Sequence, residues 1–348
     1  MAEAVTVSMP VGVTASTQLS RWEPRDKDLK RYFHFDRSVG KALAIRIAND
    51  PDMVAKHKFY PLIRFYETWK KFRHKGKPKK TKVRPLRYAA HLDALIFARY
   101  RHQLSSLYES ELTRRKLSDV PVAYRRIVDS SGKAKCNIEI ARDVFAFIRQ
   151  LGDCIVTVVD IKSYFESLDH SIILSQWSNL LGQPLGHDHM AVYKAVTKYS
   201  VVDYDKMSAR LALADRNPLG TDRRSRRQRK IDALRAQGNR QVCTPEEFRQ
   251  LIAGGDPTKP SLIQKNGFDF GIPQGTPISD LIANFYLIDF DEKVNNWVTS
   301  KGGMYRRYSD DLIVALPTAS LPSSYEAKIF LQHQISQHGP RLSIQDRK

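Results

Sequence analysis

MYRRYSDDLIVAL, residues 304–316, decides how the chain is read. Two runs rich in apolar, aromatic and β-branched residues flank Ser309-Asp310-Asp311, the pattern of a hairpin whose tight turn carries adjacent carboxylates. Upstream, CIVTVV at 154–159 is continuously apolar and β-branched, as expected for a central strand covered on both faces, and it delivers Asp160 at its end. With the two strands side by side in one sheet, Asp160, Asp310 and Asp311 meet. Three acids at one sheet edge repel unless cations neutralise them, and hard oxygen ligands suit Mg²⁺ or Mn²⁺. Two such ions, about 3.5–4 Å apart, would clamp the attacking and leaving oxygens of an in-line phosphoryl displacement. The chemistry this suggests is nucleotidyl transfer. Taken singly, the same residues also suit a solvent-exposed turn and a helix cap, since Asp is common at both.

Working outward, GIPQGTPIS at 271–279 is a Gly/Pro loop, and LIANFYLIDFDEKV at 281–294 is expected as one helix with Leu281, Phe285, Ile288 and Glu292 in step. Residues 1–21 read as a flexible leader. From Trp22 to Trp69 aromatics crowd together and Asn49-Asp50-Pro51 marks a helix entry, which predicts a helical N-terminal layer. Residues 70–87 carry ten Lys or Arg and no acid, with Gly76 and Pro78 preventing a continuous helix, so a basic loop or ribbon is expected. Helical spacing of Leu92, Leu95, Ile96, Tyr100, Leu104, Leu107 and Tyr108 follows. Asn137 is expected to cap a further helix that turns Ile138, Ala141, Phe145 and Ile148 to one face and ends at Gly152. Residues 171–262 are mostly helical in pattern and include RRSRRQRK at 223–230.

The 348 residues carry 57 Lys and Arg against 37 Asp and Glu, a net charge of +20, while 42% hydrophobic content argues against a disordered basic tail. A polyanionic partner is expected. The three cysteines, Cys136, Cys154 and Cys243, show no CxxC spacing, which signals neither a disulfide framework nor a zinc site and suits a reducing cytoplasm. No apolar run reaches the 18 or so residues of a membrane span, so no membrane partner is expected.

VVDIKSYFESLDH (158–170), GIPQGTPIS (271–279), YSDDLIVAL (308–316) and GPRLSIQDRK (339–348) resemble, in order, motifs A, B, C and D of reverse transcriptases. RPLRYAAHLD (84–93) and AYRRIVDSSGKAKCNIEIARDVFAFI (123–148) resemble the fingers segments of the bacterial, retron and group II intron branch. Within that branch, RYFHFDRSV, AAHLDALIFARY and AYR…KCNIEIA are most similar to defence-associated reverse transcriptases, type 2 being the nearest subtype. The resemblance covers about residues 22 to 348. It implies an α+β right-hand polymerase with fingers at 22–152 and a palm at 153–348; the long interval between motifs A and B departs from the family and reads as a basic helical insertion at about 175–262. The family's primer-grip hairpin and helical thumb would be absent or truncated.

By position, the resemblance makes Asp160 and Asp310 the principal ligands of two Mg²⁺ ions, with Mn²⁺ an alternative, assisted by the Ile161 carbonyl and with Asp311 beside them. Phe165 falls where the family places the aromatic that blocks a ribose 2′-hydroxyl, although Phe in this segment also suits a core. Gln274 and Gly275 match the loop that lies against the incoming nucleotide; an ordinary proline turn is the plain alternative. Lys348 falls on the motif D lysine, which protonates departing pyrophosphate as a general acid. Lys82, Arg84 and Arg87 lie where the fingers clamp the triphosphate, and spacing does not choose among them. Lys79 and Lys80 suit the template backbone, as do Tyr124 and Arg125, which equally fit a surface strand.

Arg223, Arg224, Arg226, Arg227, Arg229 and Lys230 read as an insertion that grips structured RNA through phosphate contacts, where the plain alternative is a solvated charged face. His91 and His170 are expected as packing or capping groups. The implied activity is DNA synthesis from dNTPs on a structured non-coding RNA template, giving a DNA product duplex, in antiphage defence. The alternatives are an RNA-dependent RNA polymerase or untemplated terminal transferase on the same palm, and a catalytically idle, maturase-like RNA-binding protein.

Overall fold

LIRFYETWK, residues 62–70, is dense in aromatic and β-branched types, and in the computed structural model it is a strand where a helical layer was expected. The structure describes residues 21–70, 81–211, 213, 236, 241–320 and 323–345. The chain begins with α1 (Lys41–Ala48) and α2 (Pro51–Lys56), the latter capped by the Asp50 carboxylate, which accepts the Asp52 and Met53 amides. Then come β1 (Leu62–Lys70), β2 (Thr81–Tyr88), α3 (His91–Arg114), α4 (Asn137–Leu151) and β3 (Cys154–Asp160). After these follow α5 (His170–Leu181), α6 (His187–Thr197), β4 (Ser200–Asp203), α7 (Tyr204–Arg210) and β5 (Gln264–Lys265). The last described elements are α8 (Ser279–Tyr286), α9 (Ile288–Ser300), β6 (Met304–Tyr308), β7 (Asp311–Pro317) and α10 (Ser324–His338). The class is mixed α+β, as expected.

Two sheets organise it. The first has the order β2-β1-β4-β5, with β1 antiparallel to β2 and parallel to β4. The basic ribbon is therefore the β1–β2 pair, and 71–80 lies outside the described residues. Because β4 joins this sheet, the 175–262 segment is not a purely helical insertion: Val201 and Val202 are buried beside Leu62 and Ile63. The second sheet has the order β3-β7-β6, antiparallel throughout.

Among the described residues β3 is an edge strand, not the central one expected. Thr157 and Val159 face the core, while Val156 and Val158 stay exposed on the other face. A continuous apolar run does not by itself say which face is covered.

The main core takes side chains from both sheets, and Phe35, Ile63, Val202, Met207, Cys243 and Ile252 form a second, smaller one. α3 buries the expected Leu95, Ile96, Tyr100, Leu104 and Tyr108, with Leu112 beyond them; its first turns are buried all round from Asp93 to Phe97, and burial narrows to one side only from Tyr100 on. α8 is buried at Leu281, Ile282, Ala283, Asn284, Phe285 and Tyr286, which together go round its circumference, and it sits against α3 and α5. Each such apolar side chain withdrawn from water contributes about 1.5–3 kcal/mol. The predicted single helix at 281–294 is two, broken at Leu287. At α4, Cys136 rather than Asn137 is the cap, and the Glu139 carboxylate accepts the Cys136 amide at 2.7 Å. The apolar face expected on this helix is open to solvent at Ile138 and Phe145, which are 80% and 68% exposed. Among the described residues no helix is long and apolar enough to cross a membrane.

Candidate active site

The antiparallel register of β3 and β7 sets Asp160 directly opposite Asp311. One residue earlier, Asp310 stands in the turn after β6, where Ser309 takes a left-handed φ of 59°. The turn is tied to β3 by the Ile161 amide, which donates to the Asp310 carbonyl at 2.9 Å. As a result one carboxylate oxygen from each of Asp160, Asp310 and Asp311 lies within 4.8 Å of the others, and all three side chains are half-buried. Three hard anionic donors at that separation fit a divalent cation and could hold one. The 339–345 segment runs beside this site: Ile344 bridges Ile161, Lys162 donates its amide to Ser343, and Gln345 donates to the Asp160 carbonyl. Lys348 itself lies outside the described residues.

A second group of expected residues gathers on the 271–279 loop. The Arg87 amide donates to the Gln274 carbonyl at 3.0 Å, stitching β2 to the 271–279 loop. Gly275 follows at φ 111°, and a Cβ there would overlap the Arg87 carbonyl oxygen, so backbone packing requires glycine. The Arg87 guanidinium lies over the Tyr199 ring at 5.7 Å, and its Nε and Nη1 have no hydrogen-bond partner among the described residues. Phe165 is 7% exposed, and its carbonyl accepts the Ile272 amide at 2.9 Å, which joins it to the same loop. Arg84 and Lys82 lie in β2 opposite Glu67 and Trp69.

Tyr124 and Arg125 separate in role. Tyr124 is 44% exposed, adopts φ 61°, rare for a bulky residue, and holds its ring 6.4 Å from that of Tyr308. Burial of its hydroxyl end, with a weaker push from the Asp280 and Asp310 carboxylates, raises the pKa of that group. Arg125, expected on RNA, instead grips Glu109 with two nitrogens and donates to the Ser118 and Pro121 carbonyls. It anchors the loop that presents Tyr124. His91 and His170 act as expected: His91 pairs with Asp36 at 2.7 Å, and His170 lies 2.9 Å from the Gly271 carbonyl. Lys79, Lys80, Arg223, Arg224, Arg226, Arg227, Arg229 and Lys230 lie outside the described residues.

One residue of the site was missed. Arg307 is wholly buried two positions before Ser309, and its guanidinium donates to the Ser309 carbonyl at 3.1 Å. Counting by twos along β6 puts it on the inward side with Tyr305, a signal available in MYRRY.

No family model and no curated protein sequence matches the chain. Among solved structures it is similar to telomerase from Candida albicans in complex with a TWJ fragment of telomeric RNA, at 13% identity over 86% of this chain and 45% of that one, with a TM-score of 0.38. It is also similar to apo telomerase from Candida tropicalis truncated from its C-terminal domain, at 10% identity over 92% of this chain and 59% of that one, with a TM-score of 0.45. The chain spans about half the length of these structures.

Proposed function

We propose that the chain is an RNA-directed DNA polymerase. The main support is that Asp160 and the adjacent pair Asp310 and Asp311, far from it in sequence, converge at the end of one sheet in a chain of net charge +20. A strongly basic protein that gathers three carboxylates is built to meet a polyanion and to hold cations against it. Mg²⁺ ions held by Asp160, Asp310 and the Ile161 carbonyl, with Asp311 beside them, would supply charge neutralisation at the attacking and leaving oxygens. The rest is positioning by this chain's own groups. Arg87, two of whose nitrogens lack a partner among the described residues, takes triphosphate oxygens, assisted by Lys82 and Arg84. Gln274 and Gly275 present backbone to the incoming nucleotide. Phe165, joined to that loop through Ile272, occupies the space of a 2′-hydroxyl. Lys348 gives a proton to pyrophosphate.

In this reading the template is a structured non-coding RNA, gripped by the basic runs at 70–87 and 223–230. The protein belongs with the bacterial, retron and group II intron-like enzymes, works in the cytoplasm and serves antiphage defence. Its three free cysteines accord with a reducing compartment.

The decisive experiment anneals a DNA primer to an RNA template and compares single-nucleotide incorporation of dNTPs and rNTPs through kcat/KM. Deoxyribonucleotides should be preferred, and Phe165→Ala should narrow the preference. A wild-type preference for ribonucleotides would move the assignment to an RNA polymerase. Addition independent of template sequence would move it to a terminal transferase.

A further inference from the structure

Arg307 and Asp291 form an ion pair in which both side chains have 0% exposure. All five guanidinium N–H groups of Arg307 have acceptors. Nε donates to the two Asp291 oxygens at 2.8 and 3.1 Å, and Nη2 donates to Asp291 Oδ2 at 2.6 Å and to the Asn284 carbonyl at 3.1 Å. Nη1 donates to Asn284 Oδ1 at 3.2 Å and to the Ser309 carbonyl at 3.1 Å. Asp291 is fixed in turn by the Tyr305 hydroxyl, which donates to its Oδ1 at 2.8 Å. The backbone of Arg307 is equally committed: its amide donates to the Val120 carbonyl, and its carbonyl accepts the Val122 amide, each at 2.8 Å. Asn284 then donates to the Ala123 carbonyl at 2.8 Å, next to Tyr124.

A single residue thus joins three pieces, two through its side chain and the third through its backbone. They are the Ser309-Asp310 turn, the α8–α9 unit that carries Asn284 and Asp291, and the 120–124 loop that ends in Tyr124. Stability alone is a poor reason for such a pair, because a buried ion pair gains little over well-packed apolar residues of similar volume. What an apolar pair lacks is a directed donor to the Ser309 carbonyl. Ser309 holds a left-handed conformation that a serine does not favour, one residue before the carboxylate that must be aimed.

We infer that Arg307 is a positioning residue, oriented by Asp291, which fixes the Ser309 carbonyl and thereby sets where the Asp310 and Asp311 carboxylates stand relative to Asp160. This rests on the reading of the three aspartates as a cation site in a polymerase. Lysine cannot substitute, since one ammonium cannot satisfy Asp291 and reach Asn284 and Ser309 together.

The test compares the wild type with Arg307→Lys and with the double variant Arg307→Met/Asp291→Leu, which removes the charges while keeping an apolar filling. Four quantities are measured: the melting temperature, Mn²⁺ affinity by electron paramagnetic resonance, primer extension and RNA affinity. Both variants should weaken Mn²⁺ binding by about tenfold or more and lower kcat by about 10²-fold, as a misplacement near 1 Å can do, with little change in RNA affinity. If Arg307→Lys fails to fold, the double variant decides. Mn²⁺ affinity equal to wild type in a folded variant would overturn the inference and leave the pair a packing feature. Should the wild type bind Mn²⁺ but extend no primer, the polymerase reading fails, while the difference in Mn²⁺ affinity still decides the role of Arg307.

Discussion

Gly275 shows how much a single residue constrains the site. Its φ of 111° and the Arg87 carbonyl beside it leave no room for a methyl group. Gly275→Ala should therefore push the 271–279 loop off β2 and break the Arg87–Gln274 bond, destabilising the fold by about 1–3 kcal/mol and lowering kcat/KM for nucleotide addition at least about tenfold. Unchanged kcat/KM in the variant would mean that this loop does not border the nucleotide. His34 makes a different point at the same scale. Complete burial pushes its pKa down to about 3. The unfolded chain, with an ordinary histidine near 6.5, then binds more protons than the folded one at intermediate pH. The resulting stability is present above about pH 6.5 and is lost as the pH falls toward 3. From pH 7 to pH 5 this group accounts for about 2 kcal/mol, and His170, His189 and His338, whose pKa values burial also lowers, act in the same sense. His34→Asn should flatten the fall in urea midpoint between those two pH values, and an identical slope would contradict the assignment.

Elements differ in how far they could be read from the sequence, and the reasons are physical. The hairpin β6–β7 was legible because a two-residue turn between alternating strands has a local signature, and its carboxylates followed. The helix α3 was legible for the same reason, a long 3.6-residue repeat. Pairing partners were not. The aromatics of β1 suit a helical layer as well as a strand until β2 and β4 supply hydrogen-bond partners more than ten residues away. β3 was placed at the centre of its sheet because apolar character on both faces was taken as coverage on both, yet Val156 and Val158 remain exposed. The open apolar face of α4, at Ile138 and Phe145, is a mismatch of the same kind. Arg307 was overlooked because a buried arginine is rare enough that charge is ordinarily read as surface. Its significance appears only when β6, α8 and α9 are brought together.

For the whole molecule, a net charge of +20 accompanies one small cluster of three carboxylates. The net +20 favours association with a polyanion at long range and in a salt-dependent way, whereas the three aspartates act only at contact distance. Binding and chemistry should therefore separate under mutation. The most direct test is Asp310→Asn, assayed for extension of a DNA primer on an RNA template and, in parallel, for RNA affinity at fixed salt. The account predicts that extension falls by about 10²-fold or more, as when other electrostatic stabilisation is deleted, while the RNA dissociation constant stays within about twofold of wild type. Extension at the wild-type rate in the Asn variant would contradict it.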